Sequence, residues 1–156
     1  MISRPGTRGY TVAPTAPQSA MYDAHRGVLT ALRDELEILA VEVEVDQLWP
    51  ADVAWAKEAL QLRRTRRRRL LTRHPKPTEI SDDLYPADDH DFAIALAVVR
   101  HTTFATGITH DGHVVYSTYD GLHEDSFELT ESEHALASRY MATQGTDPGF
   151  LIQDPN

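Results

Sequence analysis

The residues of this chain with the most obvious capacity for binding chemistry are its arginines. The stretch QLRRTRRRRLLTR, from Gln61 to Arg73, concentrates them. A guanidinium pairs with a phosphate or a carboxylate through two parallel hydrogen bonds, so such a run is typical of surfaces that bind polyanions or acidic partners. The candidate binding residues are Arg63, Arg64, Arg66, Arg67, Arg68, Arg69 and Arg73.

The charge of the chain is divided unevenly. The window from Lys57 to Lys76 holds nine basic residues and one acidic residue, which is a net charge of +8. The remaining residues hold six basic and 23 acidic residues, a net charge of −17, and the whole chain carries −9. At 100° per residue, helical arginines in this run point to all sides, so this turn cannot be buried in an apolar core.

Three kinds of environment fit such a charged turn. The first is solvent together with the chain's own acidic residues. The second is an acidic protein surface, for example on another copy of the chain. The third is a nucleic acid, bound through its phosphates in a salt-dependent and sequence-independent way. The intramolecular candidates are Asp82, Asp83, Asp88, Asp89 and Asp91.

A pair of histidines is one possible metal-binding pattern in the sequence. His110 and His113 flank Asp111-Gly112, and a two-residue hairpin would place them opposite each other, with Asp111 nearby. The candidates for the further ligand are His90, Asp91 and His101. None has a diagnostic spacing, so we interpret the pair as exposed imidazoles beside a turn and predict no cofactor. A metal-dependent enzyme remains a second alternative.

Nothing in the sequence forms a recognisable catalytic motif. There is no strand-turn-helix nucleophile elbow, and GTRGY lies in a Pro- and Gly-rich segment and not between a strand and a helix. The chain has no cysteine, which excludes disulfides and thiolate chemistry. No apolar run approaches the roughly 20 residues of a membrane helix, and no signal-peptide pattern is seen, so we expect a cytoplasmic protein, or one inside a particle assembled there.

The elements that would position the arginines are predicted as follows. Residues 1–19 have little apolar content and are expected to form an extended arm. Ala20–Val45 has heptad-like leucines and predicts a helix, although VEVEV at Val41–Val45 alternates as a strand does. A second helix is expected from Pro50 to about His74. Together these helices would form an antiparallel αα-hairpin over residues 20–76.

The rest of the chain, residues 77–156, is expected to be an α+β part packed with the hairpin in one globular domain. Thr78–Asp91 reads as an acidic loop and Phe92–Arg100 as a strand. TTFATGIT and HVVYSTYD then form a hairpin around Asp-Gly. A helix capped by Thr130 and Glu133 and ended by Gly145 follows, and GFLIQ adds a last strand.

The fold class predicted from these elements is α+β: an αα-hairpin, a small and mainly antiparallel sheet of three to four strands, and a C-terminal helix. The predicted function is a non-enzymatic assembly subunit. It would dock through its arm and its arginine-rich helix onto a larger complex, of which a virion or nucleoprotein particle is one option. A nucleic-acid-binding accessory protein is the alternative. The expected partner is a protein or a second copy, with no membrane and no small-molecule substrate.

Overall fold

The computed structural model describes residues 3–68 and 78–155. They form a seven-stranded sheet, in which all paired strands are antiparallel, and four α-helices. The strands are β1 (Thr7–Val12), β2 (Leu36–Glu44), β3 (Glu79–Leu84), β4 (Thr102–Thr109), β5 (Val114–Tyr119), β6 (Glu124–Thr130) and β7 (Leu151–Gln153). The helices are α1 (Gln18–Leu32), α2 (Ala54–Arg68), α3 (Asp89–Ala97) and α4 (Glu131–Thr143), with 3-10 turns at Val99–His101 and Pro148–Phe150.

The sheet has the strand order β3-β2-β4-β5-β6-β1-β7, which corrects the predicted fold class. There is no αα-hairpin, because a nine-residue strand, β2, lies between the first two helices. The predicted helix Ala20–Val45 ends at Leu32, and VEVEV belongs to β2. A β-bulge between Leu36 and Ile38 lets Leu36 and Leu39 both be buried. That bulge produced the three-residue spacing that resembled a helix.

The segment from Thr78 to Arg100 also differs from its prediction. The expected acidic loop contains β3, whose alternate residues are buried. The expected strand Phe92–Arg100 lies in α3 and the 3-10 turn after it, because Asp88 caps α3 by accepting a hydrogen bond from the Asp91 N–H at 2.9 Å. The run reads as continuously apolar because Ile94, Ala95 and the residues after them are buried from several sides.

The N-terminal segment is part of the sheet. Within the expected arm, β1 pairs with β6 on one side and β7 on the other, and Tyr10 and Val12 are buried. Arg4 reaches α4, where its two terminal nitrogens donate to the carboxylate of Glu133 at 2.8 and 2.6 Å. The segment is ordered by two sets of ladder hydrogen bonds, by one bidentate ion pair and by the burial of Tyr10 and Val12 in the core.

Several local predictions are confirmed. The Asp-Gly pair turns β4 into β5, with Gly112 at φ +84°. Thr130 and Glu133 form the reciprocal capping box of α4, and Gly145 has φ +79° just beyond its end. The final short strand exists as β7. The helix expected from Pro50 is present as α2 but begins at Ala54, after a turn, and its predicted end at His74 lies outside the described residues.

The sheet has one buried face and one open face. On β2 and β3, Val41, Val43 and Ile80 are buried, while their neighbours in sequence are partly or fully exposed. Helix α1 meets the buried face through His25, which contacts Tyr116 of β5. Helix α2 meets it through Arg63, which pairs with Asp82 of β3. Within the described residues, no helix has the length and apolar content that crossing a bilayer requires.

Candidate functional site

The face of the sheet opposite these helix contacts is a candidate binding surface, and we call it the open face. Its residues follow from the strand register. They are Glu79, Ser81 and Asp83 on β3; Ile38, Ala40, Glu42 and Glu44 on β2; Phe104, Thr106 and Ile108 on β4; Ser117 and Tyr119 on β5; and Glu124, Ser126 and Glu128 on β6.

The centre of the open face carries apolar side chains. The rings of Phe104 and Tyr119 meet edge to face with centroids 5.1 Å apart, and Tyr119 is 46% exposed. Ile38 and Ile108 are opposite each other on β2 and β4 and are half-buried. A depression of about 270 Å³ lies between Phe104 and Asp83. The centre therefore offers an apolar contact and a recess for a side chain.

The margins of the open face are acidic. Six of its residues are carboxylates and none is a lysine or an arginine. Glu42 and Glu79 lie close together, and a hydrogen bond to Glu79, then burial and the charge of Glu79, raise the pKa of Glu42. Because two carboxyl groups lie close together here, a basic partner could supply the cation that compensates their charge.

The arginine-rich end of α2 is partly neutralised within the chain. Arg63 donates to Oδ1 of Asp91 at 2.5 Å and lies 3.6 Å from Oδ2 of Asp82. Arg64 also has an interaction partner. The backbone of Arg66, Arg67 and Arg68 lies in α2, whereas Arg69 and Arg73 are outside the described residues. Arg63 thus matches the first of the three predicted environments, while the binding function of the other arginines remains a prediction.

The histidines predicted as possible metal ligands are not brought together. The hairpin closes between Thr109 and His113, with the Thr109 N–H donating to the His113 carbonyl at 2.9 Å, so His110 is not opposite His113. His90 packs near Trp55 and His101 stacks on Trp49, while Asp91 binds Arg63. Among the residues that the structure describes, no three His, Asp or Glu side chains form a group able to hold a metal.

A buried polar network was not predicted. His25 is fully buried, its Nδ1 lies 2.7 Å from the Tyr116 hydroxyl, and its Nε2 lies 3.1 Å from Oδ2 of Asp125. The Oδ1 of Asp125 accepts from the Thr11 hydroxyl and from the Val12 N–H. Burial, then the charge of Asp125, raise the pKa of Tyr116, so the phenol keeps its proton.

This network has the residue types of a catalytic relay, but its side chains are not accessible to a substrate. The side chains of His25 and Asp125 are 0% and 5% exposed and Tyr116 is 2% exposed, so a substrate cannot reach them without local opening. It joins α1, β5, β6 and β1 instead. His25 is 91 residues from Tyr116 and 100 residues from Asp125 in sequence, and the three follow no motif, so no pattern in the chain could have revealed them.

Comparisons with known proteins do not add an assignment. No family model matches the chain, and neither curated proteins nor solved structures include a significant match to it.

Proposed function

We propose that the protein is a non-enzymatic assembly subunit, in which the acidic open face of one copy receives the arginine-rich end of α2 from a second copy. The observation that carries this proposal is the opposition of charge within one chain. The open face has six carboxylates and no basic residue, and the window around α2 has a net charge of +8. The cysteine-free composition keeps the cytoplasm as the proposed location.

The sequence predicted docking through the N-terminal arm, and we now propose the open face as the docking surface in its place. Residues Thr7–Val12 are paired on both sides as β1, so they are already used within the fold. Arg63 is held by two carboxylates of its own chain and anchors α2. The arginines beyond it would supply the docking charge.

The energetics require more than ion pairs. An exposed pair of a guanidinium and a carboxylate contributes about 0.2–1 kcal/mol, and salt weakens it. Several such pairs would have to act together with the apolar centre around Phe104 and Tyr119. An arginine beside Glu42 and Glu79 would offset the negative charge of Glu79, which contributes to the raised pKa of Glu42.

The geometry of such an assembly is head to tail. The surface on one copy differs from the surface on the next, so association continues to a ring or an open chain and does not stop at a symmetric dimer. The mass of the particle should therefore rise with concentration and fall with salt.

Light scattering after size-exclusion chromatography tests this proposal. We expect oligomers in about 50 mM NaCl that dissociate in about 500 mM. The variant Glu42→Gln/Glu79→Gln/Asp83→Asn and the variant Arg66→Gln/Arg67→Gln/Arg68→Gln should each be monomeric. A mixture of the two variants should form a dimer, because the first variant keeps the arginines of α2 and the second keeps the carboxylates of the open face.

The matched control is Asp34→Asn/Asp111→Asn/Glu131→Gln, which removes three exposed carboxylates away from the open face. This variant should assemble as the parent does. A parent protein that stays monomeric at low salt and high concentration would overturn the proposal, and so would equal effects of the face variant and the control.

Binding of nucleic acid through the same arginines is the alternative, favoured only by the arginine run itself. The acidic body would repel a polyanion, and phosphate contacts would make binding strongly salt-dependent. The two functions separate experimentally. Nucleic-acid binding would need the arginines of α2 but would be unchanged or improved by the loss of the open-face carboxylates.

A further inference from the structure

A second concave site lies away from the open face. It is an open cleft of about 520 Å³ between the start of α1, the loop before α2 and the 3-10 turn Val99–His101. Its volume falls within the range of small-molecule sites in proteins. The residues that matter for its chemistry are Tyr22, Leu48, Trp49, Arg100 and His101.

Trp49 and His101 form one wall of the cleft, and contacts within the protein fix both rings. The indole N–H of Trp49 donates to the Glu44 carbonyl at 2.9 Å, and Trp49 is 3% exposed. The ring of His101 stacks on Trp49 with centroids 4.1 Å apart and an interplanar angle of 8°. Because these contacts fix the rings without a ligand, the wall is preformed.

The cleft carries a positive charge and is lined by no carboxylate, although the chain contains 24 acidic residues. The exposed guanidinium of Arg100 lies over the ring of Tyr22 at 5.5 Å, and within residues 3–68 and 78–155 it has neither a hydrogen bond nor an ion pair. Lys57 is close by, since its ammonium donates to the Gln47 carbonyl at 2.8 Å. A cation left unpaired in an acidic protein is available to an external anion.

The cleft also has an exposed apolar side. Leu48 is 97% exposed, although a leucine in water loses the stabilisation of burial. With the ring of Tyr22, it provides apolar surface at the same cleft as the guanidinium. The Nε2 atom of His101 is buried and lacks a hydrogen-bond partner among the described residues.

We propose that this cleft binds a small organic anion that carries a planar ring. Its carboxylate or phosphate pairs with Arg100, and its ring packs against Leu48 and Tyr22. The proposal is independent of the assembly proposed above, because none of these residues belongs to the open face. A positive charge beside aromatic and aliphatic surface in one recess selects both parts of such a ligand.

Paired probes separate the contribution of charge from that of the ring. Isothermal titration calorimetry and ligand-observed NMR would compare 2-naphthoate with 2-naphthamide, and AMP with adenosine. We expect a dissociation constant on the order of 0.1 mM for at least one of the two anions, and weaker binding of its neutral counterpart by about tenfold. The two pairs distinguish a carboxylate ligand from a phosphate ligand.

Variants identify the site. Arg100→Gln should abolish the preference for the anion over its neutral counterpart. Leu48→Ala should weaken the binding of both probes by the same factor. It should not affect the fold, because Leu48 is exposed. Arg139→Gln removes an exposed arginine on α4 and is the matched control. The proposal is overturned if neither anion binds at millimolar concentration, or if Arg100→Gln and Arg139→Gln have the same effect.

Discussion

The guanidinium of Arg63 donates to the carboxylate of Asp91 at 2.5 Å while it lies 3.6 Å from Asp82. The side chains of these two acids are 5% and 3% exposed. The other oxygen of Asp91 accepts a hydrogen bond from the Tyr85 N–H at 2.9 Å. One arginine therefore compensates two buried acids and joins α2 to β3 and α3, so the base of the arginine run is part of the fold.

The first prediction concerns this ion pair. Arg63→Gln should lower the free energy of unfolding by about 2–4 kcal/mol, because it removes the guanidinium that is paired with the buried carboxylate of Asp91 and that also contacts the buried Asp82. Guanidinium chloride unfolding followed by circular dichroism measures the change. Arg139→Gln, at an exposed position, should change stability by less than about 0.5 kcal/mol. Equal values for the two variants would show that Arg63 does not compensate these acids.

A double-mutant cycle isolates the pair. Asp91→Asn alone should also be destabilising, and the double variant Arg63→Gln/Asp91→Asn should lose less than the sum of the two single changes. Additive losses would mean that the two residues are not energetically coupled.

The elements that the sequence predicted correctly are those whose signals are local. The capping box of Thr130 and Glu133 and the Asp-Gly turn lie within a few residues, so each is visible without knowing what surrounds it.

The elements that failed depend on distant partners. Leu36–Glu44 is a strand because β3 and β4 flank it on both sides, and its bulge disguised the two-residue period. Thr7–Val12 is ordered by β6 and β7, which lie more than a hundred residues further along the chain. Propensity and periodicity do not contain that information. The open face was missed for the same reason, since only the register brings its residues together.

The second prediction concerns the buried network. Tyr116→Phe removes the hydroxyl that contacts His25 and leaves Nδ1 without its partner, so we expect a loss of about 1–3 kcal/mol in the free energy of unfolding. Chemical denaturation measures it. Ser117→Ala, one residue away on the open face, is the control and should be nearly neutral. If Tyr116→Phe leaves the free energy of unfolding unchanged, the hydrogen bond to His25 does not contribute to stability.

The third prediction concerns the N-terminal segment. Arg4→Gln should destabilise the protein by about 1–3 kcal/mol, because it removes the bidentate pair with Glu133, whose side chain is only 9% exposed. Hydrogen exchange should show faster exchange at the β1 amides that pair with β6. Arg8→Gln, an exposed change in β1 itself, is the control. Protection of β1 that stays as high in Arg4→Gln as in Arg8→Gln would count against the anchoring of this segment by Arg4.

The fourth prediction concerns Glu42 and pH. Its pKa is raised from the ordinary value of 4.5 by the hydrogen bond to Glu79, so the folded state binds this proton more tightly than the unfolded state does. The stabilisation that this group contributes is therefore fully present below pH 4.5 and is lost as the pH rises through the raised pKa. Glu42→Gln removes this dependence. Relative to the parent, the variant should gain stability between acidic and neutral pH, by about 0.3 kcal/mol because water screens the pair.

Two measurements check the fourth prediction in a protein held at high salt, so that assembly does not contribute. A carbon-detected NMR titration should place the midpoint of the Glu42 carboxyl above that of Glu131, an exposed glutamate outside the open face. Urea unfolding of the parent, Glu42→Gln and Glu131→Gln at several pH values should show the relative gain only for Glu42→Gln. A Glu42 midpoint at or below that of Glu131 would mean that Glu42 and Glu79 are not held together, and the carboxyl pair that a basic partner is proposed to compensate would then be absent.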